Sequence, residues 1–229
     1  MPTVLLFDID GTLVLTGGAG SRAMARAFED LVAVPDAFRG IPMPGRTDSL
    51  ILSDAAAAHG IDPILLNRFP AVYLDHLRTE LERPGPNKGV MPGVRPLLDA
   101  LVDRSDVFLA LLTGNYASAA RVKLEYFDLW KYFRCGAFGE EASDRNGLLP
   151  KALETIRACG GPAVPAQDVV VIGDTPLDVA CAAASGARSI AVATGGYSVD
   201  ALRGAGADVV FADLSDTSAV LAAIARAAW

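Results

Sequence analysis

Five short apolar runs are spread along the chain, and most of them stop at small or polar residues. They are Thr3–Phe7, Val107–Leu112, Val169–Ile172 and Ser189–Ala193, with Val209–Phe211 as a weaker candidate. Continuous apolar runs of this length are typical of strands that are buried on both faces of a parallel sheet. We therefore predict a parallel sheet whose strands end in polar residues.

The segments between these runs show helical periodicity. Apolar residues recur with a spacing near 3.6 over residues 94–104, 116–127, 148–159, 176–185 and 216–228. Strands that alternate with helices form βαβ units with right-handed crossovers. The pattern predicts an α/β fold with a Rossmann-like parallel sheet as its core.

Residues 17–89 interrupt this alternation. They contain no convincing strand, only helical stretches near 19–33, 46–59 and 63–82, and glycine-rich or proline-rich segments lie at both borders. We expect residues 1–16 and 90–229 to form the core, and residues 17–89 to form an inserted all-α helical cap domain. Ligands bind beyond the carboxyl ends of the strands in such sheets, so this cap should cover the binding crevice.

Composition and charge exclude several classes of function. The chain is 52% hydrophobic, and its 27 acidic and 20 basic residues give a net charge of −7 without a basic patch. We therefore expect a folded protein that binds neither nucleic acid nor a membrane. The three cysteines form no CxxC pair, and two aspartates interrupt the apolar start of the chain. These features favour a cytoplasmic protein without a disulfide framework, and either a monomer or a homodimer fits the composition.

Asp8 and Asp10 follow the first apolar run and are the first candidates for chemistry. Residues separated by one position in an extended chain point to the same side, so their carboxylates should lie close together. Such a pair either raises one pKa or binds a cation, and Mg²⁺ is the hard cation that oxygen ligands suit. The alternative is that Asp-Gly at the end of a strand serves only as a turn.

Three motifs together resemble a known family. Asp8-Ile-Asp-Gly-Thr12, Leu112-Thr-Gly-Asn115 and Gly173-Asp-Thr-Pro-Leu-Asp178 occur in this order, each at the end of a predicted strand. This arrangement resembles the haloacid dehalogenase-like hydrolase superfamily. The helical insertion is similar to the cap of its phosphoglycolate phosphatase and β-phosphoglucomutase branch, with Pro92-Gly93 marking the return to the core.

The resemblance implies a role for each motif. Asp8 would be the nucleophile that forms an aspartyl-phosphate, and Asp10 the general acid, whose backbone carbonyl also binds Mg²⁺. Asp174 would be the third metal ligand, and Asp178 would support it from behind, although Asp178 also fits a helix capping box with Thr175. Phosphoryl oxygens would be held by the hydroxyl of Thr113 and by backbone N–H groups of Gly114, Asn115, Gly11 and Thr12; Asn115 is also a good helix N-cap.

The family also uses a cation beside the nucleophile, usually a lysine, and here the sequence departs from that pattern. Asp144-Arg145-Asn146-Gly147 stands where Lys-Pro is expected, so Arg145 is one candidate and Lys123 is another. Lys151 is a third, although it also fits a solvated helix position. In the predicted cap, Arg46 either contacts a substrate anion or is an ordinary surface arginine.

These expectations combine into one functional hypothesis. The protein is predicted to be a Mg²⁺-dependent phosphatase that hydrolyses a small phosphorylated metabolite, phosphoglycolate-like or a sugar phosphate, through an aspartyl-phosphate. Two alternatives remain at this point. One is a phosphomutase of the β-phosphoglucomutase kind, and the other is a catalytically silent binding protein with the same fold.

Overall fold

A parallel sheet organises the computed structural model, which describes residues 2–225. The strands within these residues are β1 (Thr3–Phe7), β2 (Val14–Leu15), β3 (Gly89–Val90), β4 (Val107–Leu112), β5 (Gly136–Ala137), β6 (Val169–Gly173), β7 (Arg188–Val192) and β8 (Val209–Phe211). Six of them form one sheet in the order β5-β4-β1-β6-β7-β8, with every neighbouring pair parallel. Strands β2 and β3 form a separate antiparallel ribbon.

Helices connect these strands and confirm the predicted α/β fold. They are α1 (Ala19–Val32), α2 (Asp48–His59), α3 (Phe69–Glu82), α4 (Val94–Val102), α5 (Ala117–Tyr126), α6 (Leu148–Ala158), α7 (Pro176–Ala184), α8 (Val199–Gly204) and α9 (Thr217–Ala225). Short 3₁₀ helices lie at Pro63–Leu66, Trp130–Tyr132, Arg145–Gly147 and Ala166–Asp168. Within the described residues, no helix has both the length and the apolar character needed to cross a bilayer.

Alternate residues of the strands enter two hydrophobic clusters on opposite faces of the sheet. Leu5 and Phe7 of β1 pack with residues of α4, α5 and α9, whereas Val4 and Leu6 pack with residues of α6 and α7. Both faces are therefore covered by helices. This is why the strands are continuous apolar runs in the sequence rather than alternating ones.

Several elements differ from the sequence-based expectation. The predicted helix 63–82 is divided, because Pro70 lacks an N–H and its ring would clash with the carbonyl of residue 66 in a continuous helix; Pro70 instead lies in the first turn of α3. Strand β5 and helix α8 were not predicted, because two and six residues are too short to show a period. The last three residues of the predicted helix 216–228 lie outside the described residues.

Helices α1, α2 and α3 share a hydrophobic cluster of their own, referred to below as the helical segment (residues 19–82). Its centre contains Phe28, Phe69 and Leu77, each fully buried, and it also receives Tyr116 and Ala119 from α5 and its start. The β2–β3 ribbon pairs Val14 with Val90, so it joins the two ends of the segment. The division into a core of 1–16 and 90–229 and a cap of 17–89 remains a prediction.

The structure contains a disulfide, although the cysteine pattern favoured a protein without a disulfide framework. Cys135 and Cys159 form a disulfide with Cα atoms 6.7 Å apart, and Cys181 is buried and free. Cys135 directly precedes β5 and Cys159 directly follows α6, and these two elements pack against each other. The disulfide depends on this tertiary contact, so the spacing of the cysteines in the sequence does not predict it.

Candidate active site

The polar ends of three neighbouring strands meet at one edge of the sheet. Asp8 follows β1, Thr113 follows β4 and Asp174 follows β6, and β1 lies between the other two strands. These residues line a cavity of about 370 Å³, which the helical segment closes from the other side. The predicted convergence of the three motifs is therefore present in the fold.

Three buried carboxylates cluster at one end of this cavity, and two of them, Asp8 and Asp174, line it. One oxygen each of Asp8, Asp174 and Asp178 lies within 4.8 Å of the others. Gly11 has φ +86°, and a Cβ atom there would lie 2.4 Å from the Asp174 carboxylate, so only glycine allows this close approach. Thr12 donates a hydrogen bond to Asp174 at 3.1 Å. The first and third motifs thus build one acidic cluster.

Arg145 is the cation of this cluster. Its guanidinium lies 3.0 Å from Asp8 Oδ1 and also pairs with Asp178, and all three side chains are buried. The other oxygen of Asp178 accepts hydrogen bonds from the backbone N–H and the hydroxyl of Thr175. Asp178 thus completes the capping box of α7 and also pairs with Arg145, whereas its predicted support of the metal site stays a prediction.

A second network surrounds Asp10. Lys123 Nζ lies 2.6 Å from Asp10 Oδ2 and 2.6 Å from the amide oxygen of Asn115, and the amide nitrogen of Asn115 donates to Asp10 at 2.9 Å. Lys123 is buried, while the side chain of Asp10 is 40% exposed. Asp10 is thus fixed by two partners and open to the cavity.

Three of the four backbone N–H groups predicted for the phosphate cradle already donate within the protein, and that of Asn115 donates to the Thr113 hydroxyl at 3.4 Å. Those of Gly11 and Thr12 donate to the carbonyls of Val14 and Ile9 within the turn, which differs from the expectation that they face the phosphate. Helix α5 begins at Ala117, whose N–H donates to the Glu140 carboxylate at 3.0 Å. Asn115 is therefore not the N-cap, and an acidic side chain already occupies this helix N-terminus.

In the second motif, the side chain of Thr113 is better placed to bind phosphate than the backbone N–H of Asn115 is. Thr113 is fully buried, and its hydroxyl oxygen accepts a hydrogen bond from the Asn115 amide at 2.8 Å. The hydroxyl hydrogen of Thr113 thus stays available as a donor. Gly114 also lines the cavity, and its carbonyl accepts the N–H of Asp48.

Burial sets the electrostatics of the acidic cluster. It raises the pKa of Asp8 to about 6, although Arg145 opposes the shift, and it raises the pKa of Asp174 to about 8, with the neighbouring Asp8 and Asp178 adding to it. The two carboxylates beside Arg145 outweigh burial and raise the pKa of its guanidinium. One cation thus faces three carboxylates, and an additional cation bound by oxygen atoms would balance the charge.

The remaining predicted residues separate into two groups. Arg46 lines the cavity, but Asp54 binds it at 2.5 Å and the carbonyl of Pro42 accepts from it at 3.0 Å. Lys151 lies on the surface of α6 and pairs with Glu154, away from the site. Of the three candidate cations, the structure brings Arg145 and Lys123 into the cavity and leaves Lys151 outside.

Asp48 is a cavity residue that the sequence did not indicate. It is buried at the first position of α2, donates its N–H to Gly114 O at 2.7 Å and accepts the N–H of Tyr116 at 2.9 Å. Burial raises its pKa to about 7, although Lys123 opposes the shift. Aspartate is common in the first turn of a helix, and Asp48 directly follows the N-cap Thr47. Nothing in the sequence therefore distinguishes Asp48 from an ordinary first-turn residue.

Comparison with known proteins places this geometry in a family. Residues 2–186 match the family model of haloacid dehalogenase-like hydrolases. A phosphoglycolate phosphatase of Rhodospirillum rubrum is 30% identical over 223 residues, which cover 94% of this chain and 89% of that protein.

Two solved structures share the fold. A "predicted phosphoglycolate phosphatase" of Haemophilus somnus superposes with a TM-score of 0.71 at 16% identity, covering 96% of this chain and 98% of its own. A putative β-phosphoglucomutase of Thermotoga maritima does so with a TM-score of 0.63 at 24% identity, covering 98% and 100%. With the family model matching most of the chain, the predicted resemblance is confirmed: the chain belongs to the haloacid dehalogenase-like hydrolase family.

Proposed function

We propose that this protein is a Mg²⁺-dependent phosphatase that hydrolyses a small phosphorylated metabolite. The proposal depends on one observation: two aspartates line the same cavity, and each contacts a different cation. Asp8 is buried beside Arg145, and Asp10 is held by Lys123 and Asn115. Phosphate ester hydrolysis needs a nucleophile and a separate proton donor, and the different surroundings of Asp8 and Asp10 suit these two roles.

The acidic cluster suits Mg²⁺ on chemical grounds. Its donors are oxygen atoms only. The pKa of Asp174 is raised by burial and by two neighbouring carboxylates, whose charge a divalent cation would neutralise. The carboxylates of Asp8 and Asp174 and the backbone carbonyl of Asp10 would hold the ion. When bound, Mg²⁺ would supply charge neutralisation between these carboxylates and the phosphoryl oxygens. Asp178 has both oxygens engaged by Arg145 and Thr175, so it would act through Arg145.

The chain's own residues divide the reaction into two displacements. Asp8 attacks phosphorus, the bond from phosphorus to the ester oxygen breaks, and Asp10 gives its proton to the departing alkoxide. Asp10 then removes a proton from water, which attacks phosphorus and releases phosphate and the free Asp8 carboxylate. Arg145 and the hydroxyl of Thr113 stabilise the charge on the phosphoryl oxygens.

Phosphate release provides the direct test. The purified protein is incubated with p-nitrophenyl phosphate and a panel of small phosphate monoesters, with Mg²⁺, with EDTA, and with EDTA followed by excess Mg²⁺. We expect release that EDTA abolishes and Mg²⁺ restores. Isomerisation of a sugar phosphate that needs a bisphosphate activator would instead favour the mutase, and folded, Mg²⁺-loaded protein without either activity would favour the silent binding protein.

Gly114→Ala is expected to impair the closed arrangement of the cavity. A methyl group at residue 114 would lie 2.1 Å from the carbonyl oxygen of Arg46, so the segment before α2 would be displaced. The hydrogen bonds between Asp48 and the loop after β4 would lengthen with it. We expect kcat/KM to fall about tenfold or more because the bound substrate is less well oriented, and the unfolding free energy to fall by about 1–3 kcal/mol.

Gly204→Ala is the matched control for this substitution. Nothing lies within 4 Å of a Cβ atom at residue 204, and the position is at the end of α8. Both variants are compared by steady-state kinetics and urea unfolding. Equal kcat/KM for wild type and Gly114→Ala would show that the contact between Gly114 and Arg46 has no part in catalysis.

A further inference from the structure

The cavity has a second half that the proposed phosphoryl chemistry does not use. It comes mainly from the helical segment and its border. We call it the leaving-group half and define it by six lining residues: Leu15, Met24, Met43, Asp48, Ile51 and Tyr73. Since Asp8 and Arg145 would hold the phosphoryl group, the alcohol portion of a substrate has to contact this half.

Most of the leaving-group half is apolar. Met24, Ile51 and Tyr73 are each at most 3% exposed and belong to the hydrophobic cluster of the helical segment, against which Met43 also packs. Apolar walls of this kind bind the carbon skeleton of a ligand, and the hydroxyls of Tyr73 and Ser21 in the lining give a carboxylate or a second phosphate only neutral donors in place of lost water. The walls therefore favour an alcohol without charge.

Each described cation that lines the cavity already has a carboxylate partner. Arg46 is bound by Asp54, Lys123 by Asp10, and Arg145 by Asp8 and Asp178. Among the lining residues in 2–225, none offers an unpaired positive charge to a second anionic group on the substrate.

Asp48 adds a negative charge to the same half. Its carboxylate is buried against the cavity and bonded to the N–H of Tyr116, so it cannot turn away without breaking that bond. Like charges at short range in a partly dry cavity repel strongly. A hydroxyl group, in contrast, can donate a hydrogen bond to Asp48.

We propose that this site selects phosphate monoesters of uncharged, hydroxyl-bearing alcohols and disfavours esters that carry a second anionic group. The inference rests on the proposed phosphatase function and narrows its substrate class. The proposed substrates differ from phosphoglycolate, the compound in the name of the relative in Rhodospirillum rubrum, because phosphoglycolate carries a carboxylate beside the phosphate.

Two matched pairs of esters test the inference directly. In each pair a CH₂OH group replaces a carboxylate: 2-hydroxyethyl phosphate against 2-phosphoglycolate, and glycerol 3-phosphate against 3-phosphoglycerate. At pH 8, above the pKa of Asp48, we expect kcat/KM to be at least about tenfold higher for the uncharged member of each pair. Equal or higher kcat/KM for the carboxylate members would overturn the inference while leaving the phosphatase function in place. No phosphate from any ester or from p-nitrophenyl phosphate would overturn both.

Two variants locate the source of the selectivity. Asp48→Asn keeps an acceptor for the Tyr116 N–H but removes the charge. The ratio of kcat/KM between the uncharged and the carboxylate member of each pair should therefore decrease at least about threefold. Asp54 is half-exposed on α2, and Asp54→Asn removes the carboxylate partner of Arg46. The freed charge of Arg46 should raise kcat/KM for the carboxylate members about threefold or more. If Asp48→Asn does not fold, Asp54→Asn still tests the argument.

Asp36→Asn is the matched control, because Asp36 forms an exposed pair with Arg39 that does not line the cavity. We expect it to leave both ratios unchanged. Ratios that stay at the wild-type value in Asp48→Asn and Asp54→Asn alike would overturn the assignment of selectivity to these charges.

Discussion

Asp8→Asn is expected to abolish phosphate release, with kcat at least about 10,000-fold below that of the wild type. The amide is nearly the same size as the carboxylate, so it can occupy the same place beside Arg145, whose guanidinium lies 3.0 Å from Asp8 Oδ1. It lacks a nucleophilic oxygen, however, so no aspartyl-phosphate can form. Steady-state release from p-nitrophenyl phosphate measures the loss, and thermal unfolding checks that the variant is folded.

Asp103→Asn serves as the control for this change, since Asp103 is an exposed residue at the end of α4. It should retain wild-type kcat. If Asp8→Asn keeps activity within tenfold of the wild type, a water molecule rather than Asp8 attacks phosphorus, and the two-step mechanism is wrong.

Arg145→Ala should cause the second largest loss, and it should affect folding as well as catalysis. Arg145 is the cation in contact with buried Asp8 and Asp178, so its removal leaves three neighbouring buried carboxylates without that partner. Breaking a buried pair in this way costs about 3–5 kcal/mol of unfolding free energy. We expect kcat/KM to fall by about 1,000-fold, because the charge on the transferred phosphoryl group loses its fixed donor. Urea unfolding and steady-state kinetics measure the two effects.

Three further substitutions make this prediction specific. Arg145→Lys keeps the charge but not the fork that spans two carboxylates, so its effects should be intermediate. Lys123→Ala should lower kcat without a comparable loss of stability, since Asp10 remains partly exposed to water. Lys151→Ala should match the wild type, because its pair with Glu154 is on the surface. Equal activity in the alanine variants of Arg145, Lys123 and Lys151 would show that none of them supports the reaction.

Most of the core could be predicted because its strands are buried on both faces. Strands such as β1 and β4 are continuous apolar runs that end in chemically distinctive residues, so each run located both a strand and a part of the site. Strands β2, β3 and β5 are two residues long and carry no period, and their pairing is determined by partners far away in the chain. The same reason hid the disulfide between Cys135 and Cys159.

The site divides in a similar way between predictable and unpredictable parts. Asp8 and Asp10 could be predicted from their position after an apolar run, whereas Thr113 and Asp174 were assigned through the resemblance of their motifs to a family. The four residues come together because neighbouring parallel strands end at one edge of the sheet. Arg145 and Lys123 could not be ranked from the sequence, because both side chains reach the cavity and bind different aspartates. Asp48 was missed because its contact with Tyr116 joins residues whose proximity depends on how the helical segment packs.

The order of strands also has a consequence for the biosynthesis of the protein. Strand β1 is made first, but its sheet partners are β4 and β6, where Leu5 lies opposite Leu109 and Val170. At about 5–20 residues per second, roughly ten to thirty seconds pass on the ribosome before β6 exists. During that interval Asp8 has no Asp174 beside it and lacks Arg145 for most of the time, and the edge of β1 that pairs with β6 stays open. We therefore expect the acidic cluster to be incomplete, and one edge of β1 to be unpaired, until the last third of the chain is made.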